Sequence, residues 1–133
     1  MSLRVLIADD SQAIRGALRT LFQSTEFDIC GETDDGHSAV ELASKLKPDI
    51  IILDLAMPTM NGLEAARRIS CSMPNVPIVL HTLHAHPQLR LEAENSGVWL
   101  VVPKALGHKI VSLVRNLMKQ RPLGQSGLLA PAA

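Results

Sequence analysis

Short apolar runs alternate along this chain with longer segments whose apolar residues recur every three or four positions, and the pair repeats five times. The runs are predicted to be strands and the longer segments helices. Residues 50–53 form an apolar run without polar alternation, which is typical of a strand buried on both faces of a parallel sheet. The alternation therefore predicts a doubly wound α/β sandwich of three layers, with helices on both faces of the sheet.

The boundaries follow from turn residues and helix-capping patterns. The predicted strands are residues 5–8, 27–31, 50–53, 78–82 and 98–102. The predicted helices are residues 12–23, 35–47, 61–73, 87–96 and 106–120. Asn61 is a predicted N-cap with Glu64 as its capping-box partner, and Gly97 is placed to end the fourth helix.

The length of 133 residues fits one domain. We assign residues 1–121 to that domain. Residues 122–133 carry Gly, Ser, Pro and Ala without a helical stripe, so they are predicted to be a flexible tail or a truncated linker.

Charge and cysteine usage exclude several classes of protein. Thirteen basic and thirteen acidic side chains cancel, so nucleic-acid or membrane binding by this domain is not expected. Cys30 and Cys71 lack metal-ligand spacing and are predicted to be buried and reduced. With no signal-peptide pattern at the N-terminus, the chain is expected in the cytoplasm.

Polar residues follow four of the predicted strands. Asp9 and Asp10 come after the first strand, Asp54 after the third, Thr82 ends the fourth and Lys104 follows the fifth. The carboxyl ends of parallel strands share one edge of the sheet, where ligands bind in folds of this class. These side chains are therefore predicted to meet in one pocket.

The residue types in this pocket suit phosphoryl transfer. Three close carboxylates need a divalent cation, and oxygen ligands favour Mg²⁺ or Mn²⁺. Asp54 is the predicted nucleophile and a metal ligand, beside Asp10, a water-linked Asp9 and the Ala56 carbonyl. Lys104 and Thr82 are predicted to stabilise the phosphoryl oxygens.

The same residues resemble the receiver domain of two-component response regulators. The resemblance rests on Asp9-Asp10 after an apolar strand, Asp54 with Met57-Pro58 and Asn61-Gly62 after it, then Thr82 and Lys104. The stretch of residues 61–69 is most similar to the LuxR/NarL-type branch. The resemblance implies a flavodoxin-like strand order of 2-1-3-4-5 and phosphorylation of Asp54 by a sensor histidine kinase or a phosphotransfer protein.

The resemblance also implies the consequences of phosphorylation. Thr82 would move inward and repack the surface of the fourth helix, fifth strand and fifth helix. That surface would bind an effector domain or a second copy of the chain. The chain would turn over no separate substrate; it would only phosphorylate itself and slowly lose the group.

Some positions depart from the family pattern. Leu83 stands where a small residue is usual and is expected to crowd the phosphoryl site. Val101 stands where the family has a switch aromatic, and Pro103 precedes Lys104. Trp99 is predicted to share a strand face with Val101 by its period of two, which makes it either a substitute aromatic or an interface anchor.

Other interpretations stay open from the sequence. Leu83 and Val101 favour a pseudo-receiver, which would be a binding module without phosphorylation. A metal-dependent phosphatase is disfavoured by Ala56, where such enzymes carry a second acid, and a dinucleotide site is disfavoured by a first turn without glycines.

The histidines also leave two interpretations. His81, His84 and His86 are either a metal site or pocket histidines, and His84 is a candidate to affect water attack on the acyl phosphate.

Overall fold

The computed structural model describes residues 2–120. Five parallel strands form one sheet in the order β2-β1-β3-β4-β5, so the predicted order is confirmed. The strands are β1 (Leu3–Ala8), β2 (Phe27–Thr33), β3 (Ile50–Asp54), β4 (Ile78–Thr82) and β5 (Leu100–Pro103). The helices are α1 (Gln12–Phe22), α2 (Gly36–Leu46), α3 (Gly62–Ser72), α4 (Pro87–Asn95) and α5 (Ile110–Gln120), and a 3₁₀-helix (Lys104–Lys109) precedes α5. The predicted tail, residues 122–133, lies outside the described residues.

The sheet is covered on both faces, as the apolar run in β3 predicts. Ile50 and Ile52 pack with residues of α1 and α5, whereas Ile51 and Leu53 pack with residues of α2, α3 and α4. All five residues of β3 are buried. Each aliphatic side chain buried in this way contributes about 1.5–3 kcal/mol of hydrophobic free energy.

The helix ends agree with the predicted caps, with one exception. Asn61 caps α3, because its side chain accepts a hydrogen bond from the Glu64 amide at 2.9 Å. The predicted capping box is wrong in its second half, since the Glu64 carboxylate accepts hydrogen bonds from Arg67 and Arg68. Gly97 follows α4 with a φ of 91°, a conformation that favours glycine.

The ends of β5 differ from the prediction. The chain bends at Trp99, and β5 begins only at Leu100. The predicted shared face of Trp99 and Val101 is therefore wrong. Trp99 packs with the cluster next to α1 and α5, while Val101 packs on the other face. Side-chain alternation does not continue through a bend, which is why the period-two argument fails here.

The start of α5 is also later than predicted. Residues 104–109 form a 3₁₀-helix, and Leu106 has non-helical dihedral angles of −102° and 15°. Gly107 lies in this segment and has a low intrinsic helix propensity. The α-helix therefore begins at Ile110 and not at Leu106.

Two further observations bear on the sequence predictions. Cys71 is exposed and Cys30 is half-buried, so the prediction that both thiols are buried is wrong. Among residues 2–120, no helix combines the length and the apolar character needed to cross a bilayer.

Candidate functional site

The strand register brings the predicted polar residues to one edge of the sheet. Ala8 of β1 is level with Leu53 of β3, so Asp9 and Asp54 follow side by side. Thr82 of β4 is level with Pro103 of β5, and Lys104 follows directly. Sequence-distant residues therefore meet at the carboxyl ends of β1, β3, β4 and β5.

Three carboxylates form the centre of this site. One oxygen from each of Asp9, Asp10 and Asp54 lies within 4.8 Å of the others. Asp9 and Asp54 are only 1% and 5% exposed, and Asp10 is exposed. Burying like charges this close together is unfavourable unless a cation compensates them.

Lys104 supplies part of that compensation. Its Nζ lies 3.1 Å from Asp9 Oδ2 and 3.2 Å from Asp54 Oδ1, and 11% of its side chain is exposed. The contact with Asp9 is an ion pair that does not meet hydrogen-bond geometry. Asp9 Oδ2 accordingly has no hydrogen-bond partner among residues 2–120. One ammonium group between these acids leaves the pocket with surplus negative charge.

The pKa values follow from this arrangement. Burial and the charge of Asp9 raise the pKa of Asp54 to about 6, although Lys104 acts in the opposite direction. Burial disfavours the charged form of Lys104, but the carboxylates of Asp9 and Asp54 outweigh it and raise the pKa of Lys104. The ammonium group is therefore a fixed positive charge at neutral pH.

The donor set fits a hard divalent cation. Three carboxylate oxygens converge, and within residues 2–120 the buried Asp9 Oδ2 has its ion pair with Lys104 but no contact that meets hydrogen-bond geometry. Oxygen-only ligands of this kind are preferred by Mg²⁺. Burial is the main cause of the raised pKa of Asp54, and a cation here would offset the second cause, which is repulsion by Asp9.

A pocket of about 560 Å³ opens above the carboxylates. Thr82 and Ala56 line it, and Thr82 is 4% exposed. Leu83 also lines the pocket, and 69% of it is exposed. Val101 is outside the pocket lining, in the core beside α4.

The three histidines do not converge on one point. His84 and His86 line the pocket, and the His86 imidazole caps α4 by accepting from the Leu89 amide at 3.2 Å. His81 lies in β4, level with Asp54, and is 3% exposed. Neither ring nitrogen of His81 has a hydrogen-bond partner within residues 2–120, and burial lowers its pKa to about 4.

Two residues of the site were missed by sequence reasoning. The Ser11 amide donates to Asp9 Oδ1 at 2.9 Å, and Arg15 Nη1 donates to the Asp9 carbonyl at 2.6 Å. A cation in the first turns of a helix opposes the helix dipole, so Arg15 was a detectable anomaly in the sequence.

Gly62 explains how α3 approaches the site. Its amide donates to the Leu55 carbonyl at 2.7 Å. A Cβ atom at this position would lie 2.2 Å from the carbonyl oxygen of Asp54. Only glycine allows the helix to begin this close to the end of β3.

Comparisons with known proteins agree with this geometry. A family model described as the response regulator receiver domain matches residues 5–115. The transcriptional regulatory protein YxjL of Bacillus subtilis is 32% identical over 115 residues, which cover 85% of this chain and 53% of that protein. The chemotaxis protein CheY of Thermotoga maritima is 35% identical over 97 residues, which cover 73% of this chain and 81% of that protein. This chain thus spans about half the length of the Bacillus relative.

A solved structure shows the same fold. The signal receiver domain of the response regulator NarL from Mycobacterium tuberculosis superposes with a TM-score of 0.82 at 31% identity. The match covers 90% of this chain and 98% of that domain.

Proposed function

Because the chain belongs to the response regulator receiver domain family, we propose that Asp54 accepts a phosphoryl group from a phosphohistidine. A carboxylate oxygen of Asp54 forms the new P–O bond as the P–N bond breaks. The departing imidazole keeps the electron pair of the broken bond and takes up a proton. The product is an aspartyl phosphate.

One observation carries this proposal. Lys104 Nζ lies 3.2 Å from Asp54 Oδ1 at the base of an open pocket, next to two further carboxylates. A nucleophile, a fixed cation and a cation-binding set of oxygens thus occupy one small volume. Electrostatic stabilisation and positioning are what phosphoryl transfer requires of a protein.

The proposed ligands of Mg²⁺ or Mn²⁺ are Asp9, Asp10, Asp54 and the Ala56 carbonyl. Asp9 would act through a water molecule, and the other three would bind directly. The bound ion supplies positive charge that offsets the negative charge gathering on the phosphoryl oxygens.

Lys104 and Thr82 are the proposed contacts to the phosphoryl group. The ammonium group binds one oxygen, and the Thr82 hydroxyl donates a hydrogen bond to another. Movement of Thr82 would repack the face formed by α4, β5 and α5, and this is the proposed switch. Val101 occupies the switch position, where the family has an aromatic residue. Its side chain is smaller than an aromatic ring, so less of the Thr82 movement is transmitted to this face.

The partners of the whole protein are part of the proposal. A sensor histidine kinase or phosphotransfer protein donates the phosphoryl group, and the α4–β5–α5 face binds an effector domain or a second copy. The domain comprises residues 1–121, followed by a tail or linker at residues 122–133, and acts in the cytoplasm.

Acetyl phosphate or beryllofluoride with Mg²⁺ tests the proposal. We expect a spectral change, followed by NMR, that requires Mg²⁺ and is lost in Asp54→Asn. The second candidate is a pseudo-receiver, favoured by Val101 in place of the switch aromatic. The pseudo-receiver alternative would be established if the wild-type protein showed no spectral change. It would also be established if the wild-type change persisted in Asp54→Asn.

His84 is a proposed modulator of the lifetime of the phosphate. It is exposed and lines the pocket from which water would attack. We expect His84→Ala to change the dephosphorylation rate and its dependence on pH. An unchanged rate and an unchanged pH profile would remove His84 from the site.

A further inference from the structure

We propose that Arg15 is a positioning residue for the metal-binding pair Asp9 and Asp10. The proposal rests on the function proposed above. It assigns to Arg15 the task of holding the peptide group that joins the two acids. Arg15 contacts neither the phosphoryl group nor the metal in this proposal.

The first contact is with the main chain. Arg15 lies in α1, and its Nη1 donates to the Asp9 carbonyl oxygen at 2.6 Å. That carbonyl belongs to the rigid peptide plane that also contains the Asp10 amide. A hydrogen bond to this oxygen therefore constrains the backbone from which both carboxylates project.

The second contact anchors the guanidinium group. Arg15 Nε lies 3.3 Å from Glu32 Oε1, and the two side chains are 18% and 24% exposed. Glu32 is in β2 and is level with Ile7 of β1. The planar guanidinium thus connects the end of β1 to the neighbouring strand, with one edge for each partner.

Stability alone gives little reason for this arrangement. A partly exposed ion pair contributes little to the free energy of unfolding. A cation in the first turns of α1 also faces the positive end of the helix dipole. Glu32 already has another partner, since Arg19 Nη1 donates to both of its oxygens at 2.6 and 2.8 Å. The feature unique to Arg15 in this group is its bond to the Asp9 carbonyl.

Arg19 therefore provides a matched control. It is also in α1 and pairs with Glu32, but its side chain is 49% exposed and it bonds to Glu32 rather than to Asp9. Arg15→Lys and Arg19→Lys keep the net charge, and both remove the planar fork. Only the first variant removes a guanidinium that holds the acidic pair.

The experiment measures Mg²⁺ binding to the unphosphorylated protein by isothermal titration calorimetry. We expect Arg15→Lys to raise the Mg²⁺ Kd roughly tenfold, as loss of an outer-shell partner typically does, and Arg19→Lys to change it less than about twofold. Phosphorylation by acetyl phosphate should slow in Arg15→Lys at low Mg²⁺ and recover at saturating Mg²⁺. A general loss of structure would not recover in this way.

Arg15→Met separates positioning from charge. Removing a cation near three carboxylates should tighten Mg²⁺ binding if charge alone matters, whereas positioning predicts weaker binding. Equal Kd values for Arg15→Lys and Arg19→Lys, or tighter Mg²⁺ binding by Arg15→Met, would overturn the inference. The proposed function would remain intact in that case, provided that the wild-type protein bound Mg²⁺. A wild-type protein that bound no Mg²⁺ would instead contradict the proposed function itself.

Discussion

Asp54 is a residue at which function opposes stability. Its folded pKa is about 6 against an ordinary value of 3.8, so the native state holds the proton more tightly than the unfolded state does. Stability from this group is present below pH 3.8 and is lost as the pH rises through 6. At neutral pH the ionised carboxylate therefore destabilises the metal-free fold.

We expect Asp54→Asn to raise the free energy of unfolding of the metal-free protein at neutral pH. The gain should be about 1–2 kcal/mol after allowance for solvent screening, and it should shrink as the pH falls to 4. Urea denaturation at several pH values measures it. Asp28→Asn, on an exposed residue of β2, is the control and should change stability by less than about 0.5 kcal/mol. A gain that did not depend on pH would contradict this explanation.

His81 gives the opposite pH dependence. Its pKa falls from 6.5 to about 4 on burial, so the unfolded state takes up the proton first as the pH drops. The stability associated with neutral His81 is present above pH 6.5 and is lost as the pH falls towards 4. Both ring nitrogens are buried without partners in the described chain, which adds a desolvation cost.

His81→Leu should therefore be at least as stable as the wild type at neutral pH. Between neutral pH and pH 5, the wild type should lose on the order of 1–2 kcal/mol more than the variant. Thermal unfolding across this range provides the comparison. The exposed His108, in His108→Gln, is the control and should follow the wild type. Parallel pH profiles for His81→Leu and the wild type would show that His81 does not titrate as described.

At the scale of elements, the contact between α3 and β3 decides whether the site can form. A Cβ at Gly62 would lie 2.2 Å from the Asp54 carbonyl oxygen, and backbone cannot move aside cheaply. We expect Gly62→Ala to destabilise the fold by about 1–3 kcal/mol, as overpacking does, and to weaken Mg²⁺ binding by shifting Asp54.

Gly16→Ala is the matched control for this glycine. A Cβ at Gly16, in α1, would meet its nearest neighbour, the Arg19 side chain, at 3.4 Å, which is an ordinary contact. It should stabilise the protein by about 0.5–1 kcal/mol, because alanine favours the helix. Chemical denaturation of both variants tests the pair. Similar changes in the two would mean that space at Gly62 is not limiting.

The elements predicted correctly from the sequence are those whose type and ends depend on local residue patterns. Pro87 and Gly97 bracket α4, and the apolar residues 50–53 identify β3 as the buried strand. The errors arise where tertiary structure chooses between local options. Glu64 could bond to its own helix N-terminus or to arginines one turn on, and it bonds to the arginines. Trp99 could extend β5, but the bend places its ring on the other face of the sheet.

At the scale of the whole molecule, the site was predictable because topology alone brings it together. Parallel strands carry Asp9, Asp54 and Lys104 to one edge whatever the details of packing. Arg15 and His81 were not predictable in the same way. The role of Arg15 depends on which main-chain atom its guanidinium reaches, and that of His81 on the burial of its ring without polar partners in the described chain. Residue spacing predicts neither property.

The same topology predicts a link between metal binding and global stability. Asp54 joins the adjacent pair Asp9 and Asp10 only in the folded chain, so Mg²⁺ should bind the native state in preference to the unfolded one. At a Mg²⁺ concentration ten times the Kd, the free energy of unfolding should rise by about 1.4 kcal/mol. Asp10→Asn is the sharpest variant, because Asp10 is exposed and its loss should leave metal-free stability nearly unchanged while abolishing the Mg²⁺ effect. Denaturant titrations with and without Mg²⁺, at matched ionic strength in KCl, measure the difference. An equal Mg²⁺ effect in Asp10→Asn and the wild type would mean that the ion acts elsewhere on the surface.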